Sequence, residues 1–361
     1  MSTPPRRRPA RPVGRVLLIH PGALGDLVQA LPAFGAVRAG YPDAHVTLLT
    51  DAGLADLARG TRLFDEVIGF DAPLAYHGSP GARVGLFARL ALRVRRAAPD
   101  VAAVFKGAIV YGLLAALSGA RQRAGLARGV GRRALTHPVP IDPARHHEDR
   151  FLEVVAALGL DVQYRTDPAW PAVPDLVTEQ LPERVHPLIG LAPGGARNAK
   201  QDLPVKRWPA DRFAALARAL AAAHPHAAFV LLGASGDRAE VDAVRAALAD
   251  ARVVDLAGRT DVAGARAAIA TLDVFVGNDS GLMHVAATTD TPTVVAFGPT
   301  DPRVLAPRAP GVRAVWVPAP NPPCYDEVTG AMRSCAVPCC IERVTVAQML
   351  AAVQAALGVN S

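Results

Sequence analysis

Residues 273–302, DVFVGNDSGLMHVAATTDTPTVVAFGPTDP, read as strand, sharp turn, helix, strand and second turn. The apolar run Val274-Phe275-Val276 stops at Gly277-Asn278-Asp279-Ser280-Gly281. A helical stretch is predicted over 282–289, and a second apolar run, Thr293 to Phe297, ends in Gly298-Pro299-Thr300. Backbone N–H groups at a helix start are unpaired and carry partial positive charge, which suits a phosphate. Flanking glycines let such a group approach the backbone. Asp279 and Ser280 are equally good N-cap residues, which would make this a capped helix with no ligand. Both readings stand at this point.

The same rhythm extends in both directions. Upstream, Val16 to Ile19 is a short buried strand that runs into His20-Pro21-Gly22-Ala23-Leu24-Gly25-Asp26. A helix follows to about Arg38, with Leu27, Ala30, Leu31 and Phe34 at helical spacing. Strands are predicted over 46–49, 66–70 and 101–105, and helices over 83–98, 109–117 and 148–158. The proline-rich run Asp167 to Pro174 has no period and reads as a linker. Alternation then restarts, with strands over 188–192, 228–232 and 253–256 and helices over 211–223, 238–249 and 262–272. A final helix covers 346–357. Short apolar runs alternating with helical patterns predict parallel sheets covered on both faces. The expected division is a disordered basic tail (1–15), a first α/β domain (16–165), a linker (166–186) and a second α/β domain (187–361).

Composition agrees with α/β layering. Of 361 residues 51% are hydrophobic and only 5% aromatic, so the cores must be built largely from Ala, Val and Leu. The net charge of +7 suits an anionic partner. No apolar run approaches the roughly 20 residues needed to span a bilayer. The first fifteen residues lack the apolar core of a secretory signal, which predicts a cytoplasmic protein. The four cysteines, Cys324, Cys335, Cys339 and Cys340, lie together and form no framework over the fold.

In two doubly wound domains, ligands are expected beyond the carboxyl ends of the strands. Three turns qualify. Gly22 to Asp26 either closes a tight turn, with a carboxylate stabilised at a helix start, or presents Asp26 as a general base. Pro193-Gly194-Gly195-Ala196, followed by Lys200 and Lys206-Arg207-Trp208-Pro209, is either a phosphate cradle or a loop with solvated lysines. Asp279-Ser280-Gly281 with His284 is the third, and His284 could face a ligand or serve the core. There is no G-x-x-x-x-G-K-[ST] and no G-x-G-x-x-G after a strand, which argues against a P-loop NTPase and a dinucleotide enzyme. Asp-x-Asp is absent too, as is any aromatic-interleaved basic strand of the kind that binds nucleic acid.

The ordered set of turns resembles glycosyltransferase family 9, the ADP-heptose:lipopolysaccharide heptosyltransferases. The likeness rests on residues 21–26, Leu31-Pro32, Tyr41-Pro42, residues 193–196 and 206–209, Asn278 to His284, and Phe297 to Thr300. It implies a GT-B architecture, two Rossmann-like domains facing a cleft. It also implies an inverting transfer, without metal or other cofactor, from a nucleotide-sugar donor to a glycan or lipid-linked acceptor. On this likeness Asp26 is the catalytic base, in the acceptor-side turn with Gly22 and Gly25. Gly194, Gly195, Lys206, Asp279, Ser280, Gly281 and His284 hold the donor. A monomer is expected, with peripheral inner-membrane contact as a further expectation and no nucleic-acid partner. The rival readings are another GT-B enzyme such as a nucleotide-sugar epimerase, and a non-catalytic nucleotide-sugar-binding protein.

Three other features are weighed on their residues. The cysteine spacing, Cys324-x10-Cys335-x3-Cys339-Cys340, is not a zinc pattern, so reduced or locally paired thiols are expected ahead of a metal. His146-His147-Glu148-Asp149 reads as a polar helix start rather than a metal cluster, because adjacent helical side chains diverge. The helix over 83–98 puts Leu86, Phe87, Leu90 and Val94 on one face and Arg89, Arg93 and Arg96 on another. That pattern suits ordinary packing on a sheet first and a surface for anionic lipid or a phosphorylated lipid-linked glycan second.

Overall fold

The computed structural model describes residues 12–163, 165–174, 176–181, 185–248, 251–318, 324–326, 331–332 and 340–358. Most of the expected basic tail, together with Cys335 and Cys339, lies outside these residues. The chain forms two compact units. The first comprises the described residues up to Pro21, Pro32–Ile141 and Phe151–Pro168; the second comprises Gly22–Leu31, Asp142–Arg150 and the described residues from Ala169 onward.

The first unit is built on a six-stranded parallel sheet: β1 (Arg15–His20), β2 (His45–Asp51), β3 (Glu66–Phe70), β4 (Val101–Val104), β5 (Gln122–Ala127) and β6 (His137–Pro140). The strand order is β3-β2-β1-β4-β5-β6. Around it run α1 (Leu24–Gly40), α2 (Ala55–Gly60), α3 (Ala72–His77), α4 (Pro80–Arg96), α5 (Ile109–Leu117) and α6 (His147–Ala156), with α1 and α6 contributing residues to both units. The central strands are apolar through their middles because a doubly covered parallel sheet leaves neither face wet: Leu17, Leu18, Ile19, Ala102, Ala103 and Val104 are fully buried. Helix α4 begins three residues before its predicted start. Ser79 caps it by accepting from the Ala82 amide, and Pro80 occupies the first turn, where its missing N–H costs nothing. Its buried stripe is Leu86, Leu90 and Val94.

The second unit repeats the plan. Its sheet comprises β7 (Leu188–Ala192), β8 (Ala228–Leu231), β9 (Arg252–Asp255), β10 (Val274–Asn278), β11 (Thr293–Phe297) and β12 (Val312–Trp316). The order is β12-β11-β10-β7-β8-β9, which is the first sheet's order read from the other edge. Its helices are α7 (Leu176–Gln180), α8 (Ala210–Ala223), α9 (Arg238–Ala247), α10 (Val262–Ala270), α11 (Gly281–Ala286), α12 (Pro302–Leu305) and α13 (Val346–Ala356). A two-stranded antiparallel pair, β13 (Tyr325–Asp326) and β14 (Ala331–Met332), completes the list. The core packs Phe213, Leu216 and Leu220 of α8 and Met349 and Val353 of α13 against Ile189, Phe229 and Val276 of the sheet. Thr345 and Gln348 form a capping box at the start of α13, and the Trp208 indole donates to the Val344 carbonyl at 2.8 Å just before it. Asp273, which opens the stretch quoted first, accepts from the Leu188 amide at 2.6 Å and from His186 at 2.8 Å, and so fixes the start of β7 beside β10.

The structure shows two parallel doubly wound sheets, as the alternation predicts. It also shows strands that the alternation does not reveal. β5 is QRAGLA, β6 is HPVP and β12 is VRAVW, and each mixes its apolar residues with Gln, Arg, His or Pro. β6 and β12 lie at sheet edges, where one side needs no ladder partner and prolines are tolerated.

Candidate active site

Each sheet reverses its winding between two neighbouring strands, the place where open α/β sheets bind ligands beyond the carboxyl ends. In the second unit those strands are β7 and β10, paired with Gly277 opposite Ala192. β7 leaves the sheet into Pro193-Gly194-Gly195-Ala196, and β10 leaves it into Asp279-Ser280-Gly281, so two of the three predicted turns meet there. Asn278 ties them together. Its side-chain amide donates to the Pro193 carbonyl at 2.8 Å and the Gly194 carbonyl at 3.0 Å, while its Oδ1 accepts from the Trp208 amide at 2.9 Å.

The two glycines serve protein packing first. A Cβ on Gly194 would lie 2.3 Å from the Asp237 side chain. Gly195 has φ +93°, and a Cβ there would lie 2.6 Å from Ser280 Cβ. The Gly195 N–H is already committed, donating to Asp237 Oδ1 at 2.9 Å. Asp237 also accepts from the Ala234 amide and pairs with Arg197, while Arg207 donates to the Gly195 carbonyl at 3.2 Å. The loop is therefore held in place by a buried carboxylate that sequence reasoning did not single out. Lys200 is exposed and stands apart from this circuit.

Lys206 ends a short 3-10 turn, Pro204–Lys206, and is buried. Its Nζ lies 2.9 Å from Asp279 Oδ2 and 4.9 Å above the centre of the Tyr325 ring. The same Asp279 oxygen accepts from the Thr300 hydroxyl at 2.6 Å. Burial alone would raise the Asp279 carboxyl, but the Lys206 ammonium and the Thr300 hydrogen bond outweigh it and hold the group below the usual carboxylate range. Asp279 thus fixes Lys206 through an ion pair and does not cap the helix. Ser280 occupies the N-cap position of α11 without a side-chain capping bond. Helix α11 is shorter than the predicted 282–289: it ends at Ala286, beyond which Thr288 and Thr289 bond back to the carbonyls of Val285 and Ala286.

His284 is buried one turn into α11. Burial pushes its imidazole down to about 4, against the opposing pull of Asp279 and Asp26, so the ring is neutral at neutral pH. The Gln29 side-chain amide lies 3.0 Å from His284 Nε2 and donates to it. Both residues belong to the second unit, which takes in the start of α1. Gly25 makes this approach feasible: a Cβ there would lie 2.6 Å from the imidazole Cδ2. Gly22 stands in the turn that precedes α1.

Asp26 lies in the first turn of α1 with its side chain 22% exposed, and its Oδ1 is 3.7 Å from His147 Nδ1. His147 opens α6, within the run read as a polar helix start. Its neighbours diverge as helical geometry requires: His146 Nε2 donates to the Ala306 carbonyl at 2.9 Å, and Asp149 forms a two-pronged pair with Arg308 at 2.7 and 2.8 Å. Among the described residues no cluster of His, Cys, Asp or Glu could hold a metal. His147 is the functional candidate the sequence concealed, since nothing in its neighbourhood names Asp26 as its partner. Cys324 and Cys340 are buried against one another.

This geometry can be set beside known proteins. A profile of glycosyltransferase family 9 (heptosyltransferase) matches residues 87–332, about two thirds of the chain. The lipopolysaccharide heptosyltransferase 2 of Salmonella typhimurium is 27% identical over 317 residues, covering 83% of this chain and 87% of that protein. Two solved structures share the fold. A family 9 glycosyl transferase from Veillonella parvula has a TM-score of 0.77 at 19% identity, covering 96% of this chain and 98% of that one. E. coli ADP-heptose lps heptosyltransferase II has a TM-score of 0.69 at 24% identity, covering 95% and 98%. Two sheets of one winding, the ordered turns at their strand ends and the family profile lead to one conclusion: this chain belongs to glycosyltransferase family 9 and is a glycosyltransferase.

Proposed function

We propose that the protein transfers heptose from ADP-heptose to a lipopolysaccharide-type glycan acceptor, with inversion at the anomeric carbon and without a metal. The heptose, the ADP carrier and the acceptor class are supported by the names of its relatives. The mechanism is supported chiefly by the buried Lys206, locked by Asp279 beside the uncapped Ser280-Gly281 turn at the winding reversal of the second sheet. Asp26 takes the proton from the acceptor hydroxyl as that oxygen attacks the anomeric carbon. The bond from the anomeric carbon to the donor phosphate breaks and its electron pair leaves on the diphosphate. Lys206 and the Ser280-Gly281 backbone stabilise the charge that develops there. His284, held neutral, offers shape and hydrogen bonding without competing for the proton.

The test is transfer from ADP-heptose to a truncated lipopolysaccharide acceptor in chelator-treated buffer, following ADP release and the anomeric coupling of the product by NMR. The expected result is ADP released in step with an inverted glycoside. ADP release with no glycoside, retained configuration, or turnover that requires an added divalent ion would each overturn part of this reading. Donor converted in the absence of acceptor would support the epimerase alternative.

A further inference from the structure

Gln29 lies outside the three turns from which the site is built, yet it touches the site's histidine. Helices α1 and α11 meet at their first turns, with a glycine on each side of the contact. A Cβ on Gly281 would lie 2.9 Å from Leu24 Cδ2, and one on Gly25 would lie 2.6 Å from His284 Cδ2 and 3.1 Å from His284 Nε2. A side chain at either position would have to displace its neighbour. The Cδ2–Nε2 edge of the imidazole therefore faces α1, and Nδ1 lies on the opposite side of the ring. Gln29 follows Asp26 by three positions, so the two share a face of α1. Its amide donates to Nε2 at 3.0 Å.

Both side chains are enclosed: Gln29 is 8% exposed and His284 6%. A buried side-chain polar atom nearly always has a partner, yet His284 Nδ1 and Gln29 Oε1 have none among the described residues. A neutral imidazole carries its hydrogen on one nitrogen, and the bond made by the other nitrogen decides which. A carboxamide NH2 can only donate, so Nε2 is bare and Nδ1 carries the proton. His284 is thus a buried N–H with nothing to donate to, and that leaves a desolvation cost which a bound oxygen would offset. The ring stands one turn beyond the Ser280-Gly281 backbone assigned above to the diphosphate.

We propose that Gln29 is a positioning residue: by donating to Nε2 it locks His284 in the Nδ1–H form and holds that N–H ready for an oxygen of the nucleotide-sugar donor. Gln29 acts through the imidazole and does not touch the reacting atoms. The identity of the ligand rests on the glycosyl-transfer reading, whereas the locked tautomer belongs to the free protein.

The experiment combines imidazole NMR with calorimetry on the full chain, in wild type, Gln29→Met, His284→Leu and the double variant. Methionine keeps the length and helix propensity of glutamine without its polar group. Long-range 1H–15N correlation spectra show which ring nitrogen is protonated, and the His284 signals are those lost in His284→Leu. Free wild type should show Nδ1–H with a bare Nε2, and Gln29→Met a mixture of both forms. Saturating ADP-heptose should shift the wild-type Nδ1–H proton. Gln29→Met should weaken ADP-heptose binding about fivefold, the loss expected of one neutral hydrogen bond. The donor KM should rise to match, with kcat little changed. In the His284→Leu background the same substitution should add nothing. A wild-type ring protonated at Nε2 would overturn the proposal, and that result needs no variant to fold. So would equal losses from Gln29→Met with and without His284, or an Nδ1–H proton that ignores bound ADP-heptose. A wild type with the expected tautomer that binds no ADP-heptose would instead overturn the ADP-heptose reading and leave the tautomer lock in place.

Discussion

In the proposed reaction Asp26 and Lys206 meet two different demands, and single substitutions should separate them. Asp26→Asn keeps the shape of the side chain but cannot accept a proton; transfer should fall by roughly 10²–10⁴-fold, while calorimetry finds ADP affinity unchanged. Lys206→Ala should weaken ADP binding and would leave Asp279 buried without its cation, so a lower melting temperature should accompany the loss. In the proposed reaction His147, 3.7 Å from Asp26, would steer that carboxylate without touching substrate. His147→Ala should lower kcat roughly tenfold, a small share of a positioned base's effect, with the KM for donor unmoved; a purely structural role would lower stability and spare kcat. His284 gives a pH signature. Its folded imidazole titrates near 4 and its unfolded one near 6.5, so the unfolded chain binds the extra proton between those values. Stability should therefore drop as pH falls through that window, by at most about 1.4 kcal/mol per pH unit. Urea unfolding at pH 7 and pH 5 should show a smaller drop for His284→Gln. Asp26 and Lys206 enter as candidates through the resemblance of the turns that carry them, since each turn read by itself leaves a structural alternative open. His147 does not, because its partner lies 121 positions earlier and only folding brings them together.

At the scale of elements, the site is a matter of turns held by other turns. Gly195 adopts a positive φ and lies against Ser280, and its amide is taken by Asp237. Gly195→Ala should cost about 1–3 kcal/mol from backbone strain alone. It should also raise the KM for donor, because the displaced Ser280 belongs to the turn assigned to the diphosphate. Donor KM alongside the melting temperature checks both. The sequence shows where such turns fall, since glycines interrupt apolar runs, but not what the glycines meet. Gly194 and Gly195 look like space for a phosphate, yet in the fold much of that space is taken by Asp237 and Ser280. Strands without an apolar run, such as His137–Pro140, stay hidden for a related reason: their pairing comes from the sheet beside them and not from their own residues.

For the molecule as a whole, the double winding could be read from the repeated alternation, and the matching strand orders make each half a version of the other. Charge is distributed far less evenly than the fold. The stretch 72–141 carries +10 in a chain whose net charge is +7, so all the remaining residues together are acidic by three. A molecule segregated in this way can attract its own copies, basic stretch to acidic remainder, even though its overall charge should keep copies apart. Concentrated solutions should accordingly turn cloudy as buffer ions are dialysed away and clear when they are restored, with turbidity against ionic strength as the measurement. The dissolved state of this protein would then be set by the ions around it as much as by the fold within it.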